Sequence, residues 1–289
     1  MVSGKLKISE KVLAKAKLIQ SKASFLANDE LSGEYRSAFK GRGIEFEEVR
    51  EYRDGDEIRD IDWKVTARFQ KPFVKTFKDE REITIFFLVD VSKSTLFTTT
   101  EKSKAEVIAE ITALLSYASL RNKDKTGLII FSDKVEHYLP PSRGKAHVWK
   151  MIRDILDFRP ESSKTNIEAG IDFLRKVRKK KSVVFILSDF LSEGYEDSVK
   201  LISKIHDLRL ISVRDRLEKD IRPPISGIFN FKDLETGEPV RVEIKKDDQI
   251  KTDSKIQRLA ETLGTWFCDL SPSDDYLDKL IKKLKSRRR

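Results

Sequence analysis

The chain has 289 residues, of which 39% are hydrophobic and 37% are charged, and its formal net charge is +10. This size and mixture are typical of a globular protein with a densely charged surface, and they exclude a globally disordered chain. No apolar run approaches the roughly 20 residues of a membrane-spanning helix, and the N-terminus lacks the apolar segment of a secretory signal, so we expect a cytoplasmic protein. The lone cysteine, Cys268, excludes an internal disulfide and a cysteine-based zinc site, and its apolar neighbours predict that it is buried.

Residues 1–82 form the first predicted domain. Apolar residues near its start recur on one helical face, at Val12, Ala16, Ile19, Ala23 and Leu26. Glycines then interrupt the pattern, and an irregular, strongly charged stretch follows. We predict a small N-terminal α+β module that packs against the main domain, and we expect the helix face to serve core packing rather than a dedicated partner surface.

Residues 83–289 form the second predicted domain, in which β-rich apolar runs alternate with helical patterns. Strands are predicted at 83–91, 126–131, 182–187 and 208–213, and helices are marked by apolar stripes over 107–118 and 167–177. The strands are nearly continuous in apolar residues, as strands buried on both faces should be. The alternation predicts an α/β fold, with a doubly wound, mostly parallel sheet of the Rossmann-like kind.

The rest of this domain is less regular. A short edge strand is predicted at 135–139, a hairpin at a sheet edge from 228–234 and 240–244, a helix at 256–263, a strand at 266–270 and a last helix at 277–284.

Oxygen-bearing side chains follow the predicted strands. The first strand ends in Asp90-Val91-Ser92-Lys93-Ser94, Thr165 precedes a helix, and Asp189 follows the third of the four main strands. The carboxyl ends of parallel strands meet at one edge of a sheet, so we expect these side chains to converge. Carboxylate and hydroxyl oxygens suit a hard cation such as Mg²⁺ or Mn²⁺. Asp-x-Ser-x-Ser alone is a weak signal, because these residues also cap helices without any metal.

The order Asp-x-Ser-x-Ser, then Thr, then Asp resembles the metal-ion-dependent adhesion site of von Willebrand factor A domains. The resemblance implies that Asp90, Ser92, Ser94, Thr165 and Asp189 hold the ion directly or through water. It also implies that an acidic group from a protein partner completes the coordination. Thr95 departs from the apolar residue that the family often has next, although that position is not a ligand.

A second resemblance lies in the N-terminal module. The segment from Arg50 to Trp63 (REYRDGDEIRDIDW), with Ala67-Arg68 and Glu80, is similar to the signature of the bacterial family called domain of unknown function 58. That family joins the motif to a von Willebrand factor A-like domain. The resemblance implies a non-enzymatic adaptor that works with a MoxR-type AAA+ ATPase in assembling or activating other proteins. The charges of the signature predict a network that fixes the module to the main domain, with a recognition face as the alternative, and Trp63 is expected to anchor a core or a module interface.

Two other functions compete with this hypothesis. An Asp that ends the first strand also serves haloacid-dehalogenase-type phosphatases, but Ser92 occupies the place of their second Asp. The basic runs 175–181 and 282–289 could instead bind nucleic acid, which would make binding sensitive to salt and indifferent to chelator. We expect no enzyme activity and no small-molecule substrate. The expected partner presents an acidic residue and is an AAA+ ATPase or its client. We expect any membrane association to be peripheral and to occur only through partners.

Overall fold

The computed structural model describes residues 10–29, 44–79, 83–92, 94, 102–159, 164–215, 220–221, 227–232, 239–244, 250–251 and 255–286. The chain divides into two compact units. The smaller unit is Phe39–Ile83, and the larger unit joins the N-terminal segment Met1–Ala38 to Thr84–Arg289.

The helices and strands have the following bounds. The helices are α1 (Glu10–Asp29), α2 (Trp63–Phe69), α3 (Lys104–Arg121), α4 (Lys145–Asp157), α5 (Ile167–Val177), α6 (Glu196–Ile205), α7 (Lys255–Leu263) and α8 (Tyr276–Lys285). The strands are β1 (Ile44–Glu51), β2 (Phe73–Asp79), β3 (Thr84–Asp90), β4 (Lys125–Phe131), β5 (Val135–Ser142), β6 (Val183–Ser188), β7 (Asp207–Val213), β8 (Asp220–Ile221), β9 (Gly227–Lys232), β10 (Pro239–Ile244), β11 (Ile250–Lys251) and β12 (Trp266–Leu270).

The larger unit is built on a six-stranded sheet in the order β12-β7-β6-β3-β4-β5. All neighbouring pairs are parallel except β4 with the edge strand β5. Numbered along the chain, this is the 3-2-1-4-5-6 order of doubly wound folds, and the order reverses between β3 and β6. The predicted α/β class and mostly parallel sheet are therefore confirmed.

The central strands are buried on both faces, as their continuous apolar sequences predicted. Phe86 and Leu88 belong to the core that α5 and α6 cover. On the same strand Phe87 alternates to the other face, where its ring stacks on that of Phe185 with 5.4 Å between centroids. Cys268 is buried in β12, which confirms the prediction for the lone cysteine.

Helix α1 packs against α3 and α4 of the larger unit. Its buried face carries small residues, Ala16, Ala23 and Ala27, which let the helices approach closely, and ion pairs join Lys15 to Glu106 and Lys22 to Glu110. The sequence placed this helix in a module of residues 1–82, whereas its packing contacts lie in the larger unit. Core packing of its apolar face is confirmed, and the module boundary itself stays a prediction.

The smaller unit is an antiparallel β1–β2 hairpin with α2 between its strands. Arg50 makes two hydrogen bonds to Asp56, of 2.7 and 2.8 Å, and the Asp62 carboxylate accepts from the first backbone amides of α2. These contacts lie within the smaller unit, and a charge network that fixes this module to the main domain stays a prediction. The expected core role of Trp63 is wrong within this unit, because the side chain is 67% exposed and α2 buries none of its residues.

Three other features differ from the predictions. Helices α4 and α6 were not predicted, because their short apolar stripes lie between charged residues. Strand β5 continues through Pro140 and Pro141, which an edge strand tolerates because one side of its ladder is open. The predicted hairpin forms as β9–β10, but within the described part of the chain these strands pair only with each other, so its predicted place at the sheet edge is wrong. None of the described helices is long and apolar enough to cross a membrane.

Candidate functional site

Asp90 lies at the point where the strand order reverses, which is where open α/β sheets bind ligands. It ends β3, and the register of β3 with β6 brings it level with Ser188. Asp90 is 1% exposed, and both of its carboxylate oxygens are engaged. The backbone amide of Ser92 donates to Oδ1 over 2.9 Å, and the Ser188 hydroxyl donates to Oδ2 over 2.6 Å. These two contacts fix the orientation of the carboxylate.

Ser92 and Ser94 follow directly in the turn after β3. Both are buried, and their hydroxyl oxygens lie 3.0 Å apart. The predicted pair of hydroxyl ligands therefore exists as a pair beside Asp90.

Asp189 follows β6 and is also buried. Its Oδ1 accepts from the backbone amide of Leu191 over 3.3 Å, and its Oδ2 lies 3.3 Å from the ammonium of Lys104. The next residue, Phe190, has φ +55°, an uncommon value for a side chain of its size. Its amide donates to Ser188 Oγ over 3.0 Å, so the strained turn is held by the same hydroxyl that contacts Asp90.

Burial and a neighbouring charge both disfavour the ionised form of Asp90. Burial raises the pKa of Asp90 to about 7, and the nearby charge of Asp189 contributes in the same direction. Hydrogen bonds from Ser188 and Ser92 act against this shift. A cation close to both buried carboxylates would stabilise them.

Thr165 lies on the same edge of the sheet. It belongs to the segment before α5, which is tied to the end of β4 by a 2.7 Å hydrogen bond from the amide of Asn166 to the carbonyl of Ser132. The Thr165 hydroxyl is buried, and among the described residues none hydrogen-bonds to it. A buried hydroxyl without a partner costs about 1–3 kcal/mol, so a ligand that engages it would recover that energy.

The structure thus joins four of the five predicted residues in one network, Asp90, Ser92, Ser94 and Asp189, and it leaves Thr165 nearby without a direct bond to them. The donor set of two carboxylates and three hydroxyls fits a hard divalent cation, and the orphaned Thr165 oxygen supports that fit. Among the described residues no group of three or more His, Cys, Asp and Glu side chains forms an alternative metal site.

Two residues of this network were missed by the sequence reasoning. Ser188 ends a continuous apolar strand, and a serine directly before Asp189 was a usable signal. Lys104 stands at a position of the apolar stripe of α3, one turn before Ile108, and a lone lysine on such a stripe marks a buried ion pair.

An α/β protein with paired buried carboxylates at the reversal point of its sheet is the class that this fold and site define. The chain belongs to the family described as Protein of unknown function DUF58, whose profile matches residues 48–262.

The chain is similar to several bacterial proteins described as uncharacterized. One from Mycobacterium tuberculosis (strain ATCC 25618 / H37Rv) is 26% identical over 271 residues, covering 90% of this chain and 84% of that protein. The uncharacterized protein YeaD of Bacillus subtilis (strain 168) is 29% identical over 107 residues, covering 37% of this chain and 25% of that protein.

Solved structures show only distant similarity. The conserved hypothetical protein BatB from Bacteroides thetaiotaomicron is 14% identical, with a TM-score of 0.44 over 71% of this chain and 98% of that one. An aerotolerance-related membrane protein from Bacteroides fragilis NCTC 9343 is 15% identical, with a TM-score of 0.49 over 71% of this chain and 99% of that one. Neither adds an argument about the site.

Proposed function

We propose that this protein is a non-enzymatic adaptor whose von Willebrand factor A-like domain binds Mg²⁺ or Mn²⁺ and, through the ion, an acidic side chain of a protein partner. The observation that carries the proposal is the buried pair Asp90 and Asp189 beside the serine hydroxyls, with the orphaned Thr165 oxygen on the same edge. The hydroxyl ligands are neutral and the ammonium of Lys104 offsets the charge of Asp189, so the bound ion would leave the site with net positive charge, which favours an anionic partner group.

The residues divide into ligands and supports. The hydroxyls of Ser92, Ser94 and Thr165, together with the carboxylates of Asp90 and Asp189, would hold the ion. The bound ion would supply a positive centre for a carboxylate. Ser188 orients Asp90, and the turn after Asp189 restricts that side chain through backbone hydrogen bonds. This support restricts the ligands before the ion arrives and so lowers the entropy cost of binding.

A ligand role for Asp90 is favoured over a catalytic one. The phosphatase alternative needs a second acid two residues after the nucleophile, and in this chain the buried Ser92 occupies that position. The hydrogen bonds to Asp90 leave a further acceptor site on each oxygen, so they permit metal ligation. The constraints on Asp90 suit a group that stays in place while it holds an ion.

The partner is proposed from charge and from family resemblance. The net charge of +10 would speed encounter with an acidic surface. The family resemblance points to a MoxR-type AAA+ ATPase or its client, in the cytoplasm, where the complex would assemble or activate other proteins. Nucleotide hydrolysis would come from the ATPase.

A pulldown with and without divalent ions tests this function. The protein should retain an acidic partner in Mg²⁺ and release it in chelator, and the double variant Ser92→Ala, Ser94→Ala should fail to retain it. A matched control is Ser203→Ala, because the hydroxyl of this half-buried serine on α6 donates to the carbonyl of Lys200 on the same helix. If the same partners are retained in chelator and by the double variant, the metal plays no part in binding them.

Nucleic-acid binding is the second candidate, favoured by one surface feature. A cavity of about 360 Å³ at the end of α5 is lined by several cations, among them Arg175, Lys176 and Lys179. Arg178 in the same lining is already engaged with Ser182 and Thr84. Nucleic-acid binding here would weaken steeply with salt and would persist in chelator, whereas metal-dependent protein binding would do the reverse.

A further inference from the structure

Lys104 is a buried lysine beside the candidate metal ligands. It is the first residue of α3, its side chain is 0% exposed, and its ammonium lies 3.3 Å from Asp189 Oδ2. A lysine is almost never fully buried unless an anion compensates its charge, and such a pair needs close geometry to offset the loss of hydration. Lys104 and Asp189 therefore depend on each other for burial.

The position of this ammonium sets the charge of the site. Among the described residues at this edge, the buried carboxylates Asp90 and Asp189 are accompanied by the ammonium of Lys104. With both carboxylates ionised and no metal bound, these three side chains sum to one negative charge. With a divalent ion the site carries one excess positive charge, because the ammonium has already neutralised one carboxylate. A buried excess charge is unfavourable until an anion is added.

We infer that Lys104 is a built-in counter-ion that weakens divalent-ion binding until an acidic group of the partner enters the site. The inference rests on the proposed function, and it adds the way in which metal and partner control each other. The ammonium competes with the ion for Asp189 and repels it. A partner carboxylate restores neutrality, so the ion and the partner bind with positive coupling. Lys104 is thus a positioning and specificity-determining residue rather than a metal ligand.

The same contact keeps the unloaded protein folded. Without Lys104, the buried Asp189 carboxylate would keep a hydrogen bond from a backbone amide but would lose its cation. A divalent ion would then have to supply the missing positive charge. The ammonium would therefore compensate Asp189 in the ion-free protein, which suits a site that binds the ion more tightly in a complex.

Calorimetric titration of the full chain with Mg²⁺ alone, at one pH, tests the inference. Lys104→Met should bind Mg²⁺ about 10-fold tighter or more than wild type, because repulsion and competition are both removed. The matched control is Lys102→Met. Lys102 precedes Lys104 by two residues, and its ammonium contacts Glu110 and Tyr276. The Mg²⁺ affinity of this variant should stay within about twofold of wild type.

Thermal melting gives a second readout. In chelator, Lys104→Met should melt about 5 °C or more below wild type, and Mg²⁺ should raise its melting temperature by more than it raises that of wild type. If the methionine variant does not fold, Lys104→Gln keeps a hydrogen-bond donor without the charge and should show the same tighter binding.

The outcomes separate this inference from the proposed function. If wild type binds Mg²⁺ as tightly as both Lys104 variants, or more tightly, the counter-ion role is wrong and the metal site stays intact. Absence of Mg²⁺ binding in wild type and in every variant overturns the metal site and the inference together. Tighter binding in the Lys104 variants with an unchanged Lys102 control supports both.

Discussion

Ser188 and Asp90 end neighbouring strands of the sheet, and the Ser188 hydroxyl donates a 2.6 Å hydrogen bond to Asp90 Oδ2. The same hydroxyl accepts from the backbone amide of Phe190, in the turn that carries Asp189. One side chain thus couples the positions of the two carboxylates. Its removal should disturb the site without removing any proposed ligand.

Ser188→Ala should weaken Mg²⁺ binding about 10-fold, because loss of a partner that orients a ligand typically costs about 10- to 100-fold in metal affinity. It should also lower the free energy of unfolding by about 1–2 kcal/mol, since the buried Asp90 oxygen loses its donor. Calorimetry and urea unfolding measure the two effects. Ser198→Ala is the control, because its hydroxyl bonds to Glu168 on the neighbouring helix, and it should leave metal affinity unchanged.

His206 should make stability depend on pH below neutrality. Burial lowers the pKa of this side chain from 6.5 to about 4, and the charge of Arg178 contributes to the shift. Between those pH values the unfolded chain binds a proton that the folded chain does not, so stability should fall as pH drops from about 6.5 to about 4, by about 2–3 kcal/mol in total. Above pH 6.5 this contribution should be constant.

Urea unfolding across that pH range checks the histidine effect. In His206→Gln the loss assigned to this residue should disappear, although the hydrogen bond from the Ser182 amide to Nδ1 is also altered. The informative quantity is the difference in pH slope between the two proteins. Parallel slopes would contradict the assignment.

The packing of α1 can be tested within the helix itself. Ala16 is fully buried against the larger unit, whereas Ala14, two residues earlier, is exposed. Ala16→Leu should destabilise the protein by about 1–3 kcal/mol through overpacking, and Ala14→Leu should change stability by less than about 0.5 kcal/mol. Similar unfolding curves for the two variants would show that α1 does not pack as described.

The sequence predicted the sheet well because its strands have an unambiguous pattern. Runs such as Phe86 to Val89 are apolar at every position, as a strand covered on both faces requires. All four main strands were predicted within two residues of their observed ends. Helix α4 was missed because its buried residues alternate with lysine, arginine and aspartate over only 13 residues.

The site was predicted in part for a related reason. Asp90, Ser92 and Ser94 are adjacent in sequence, and strand order alone brings Asp189 to them. Lys104 could not be assigned a partner from sequence, because nothing in a helical stripe shows which strand end its long side chain reaches. Its contact with Asp189 joins residues that lie 85 positions apart in the chain. Tertiary packing, rather than local pattern, decides contacts of this kind.

The central claim is that the edge between β3 and β6 binds a divalent ion, and direct titration with Mg²⁺ or Mn²⁺ tests it. Wild type should bind, and Asp90→Ala should bind at least about 10-fold more weakly, because a carboxylate ligand is lost. Asp154→Ala is a matched control, since this partly buried aspartate pairs with His137 and Arg153 on another part of the fold and should leave the affinity unchanged. Equal affinity in wild type and Asp90→Ala would contradict the assignment of the site.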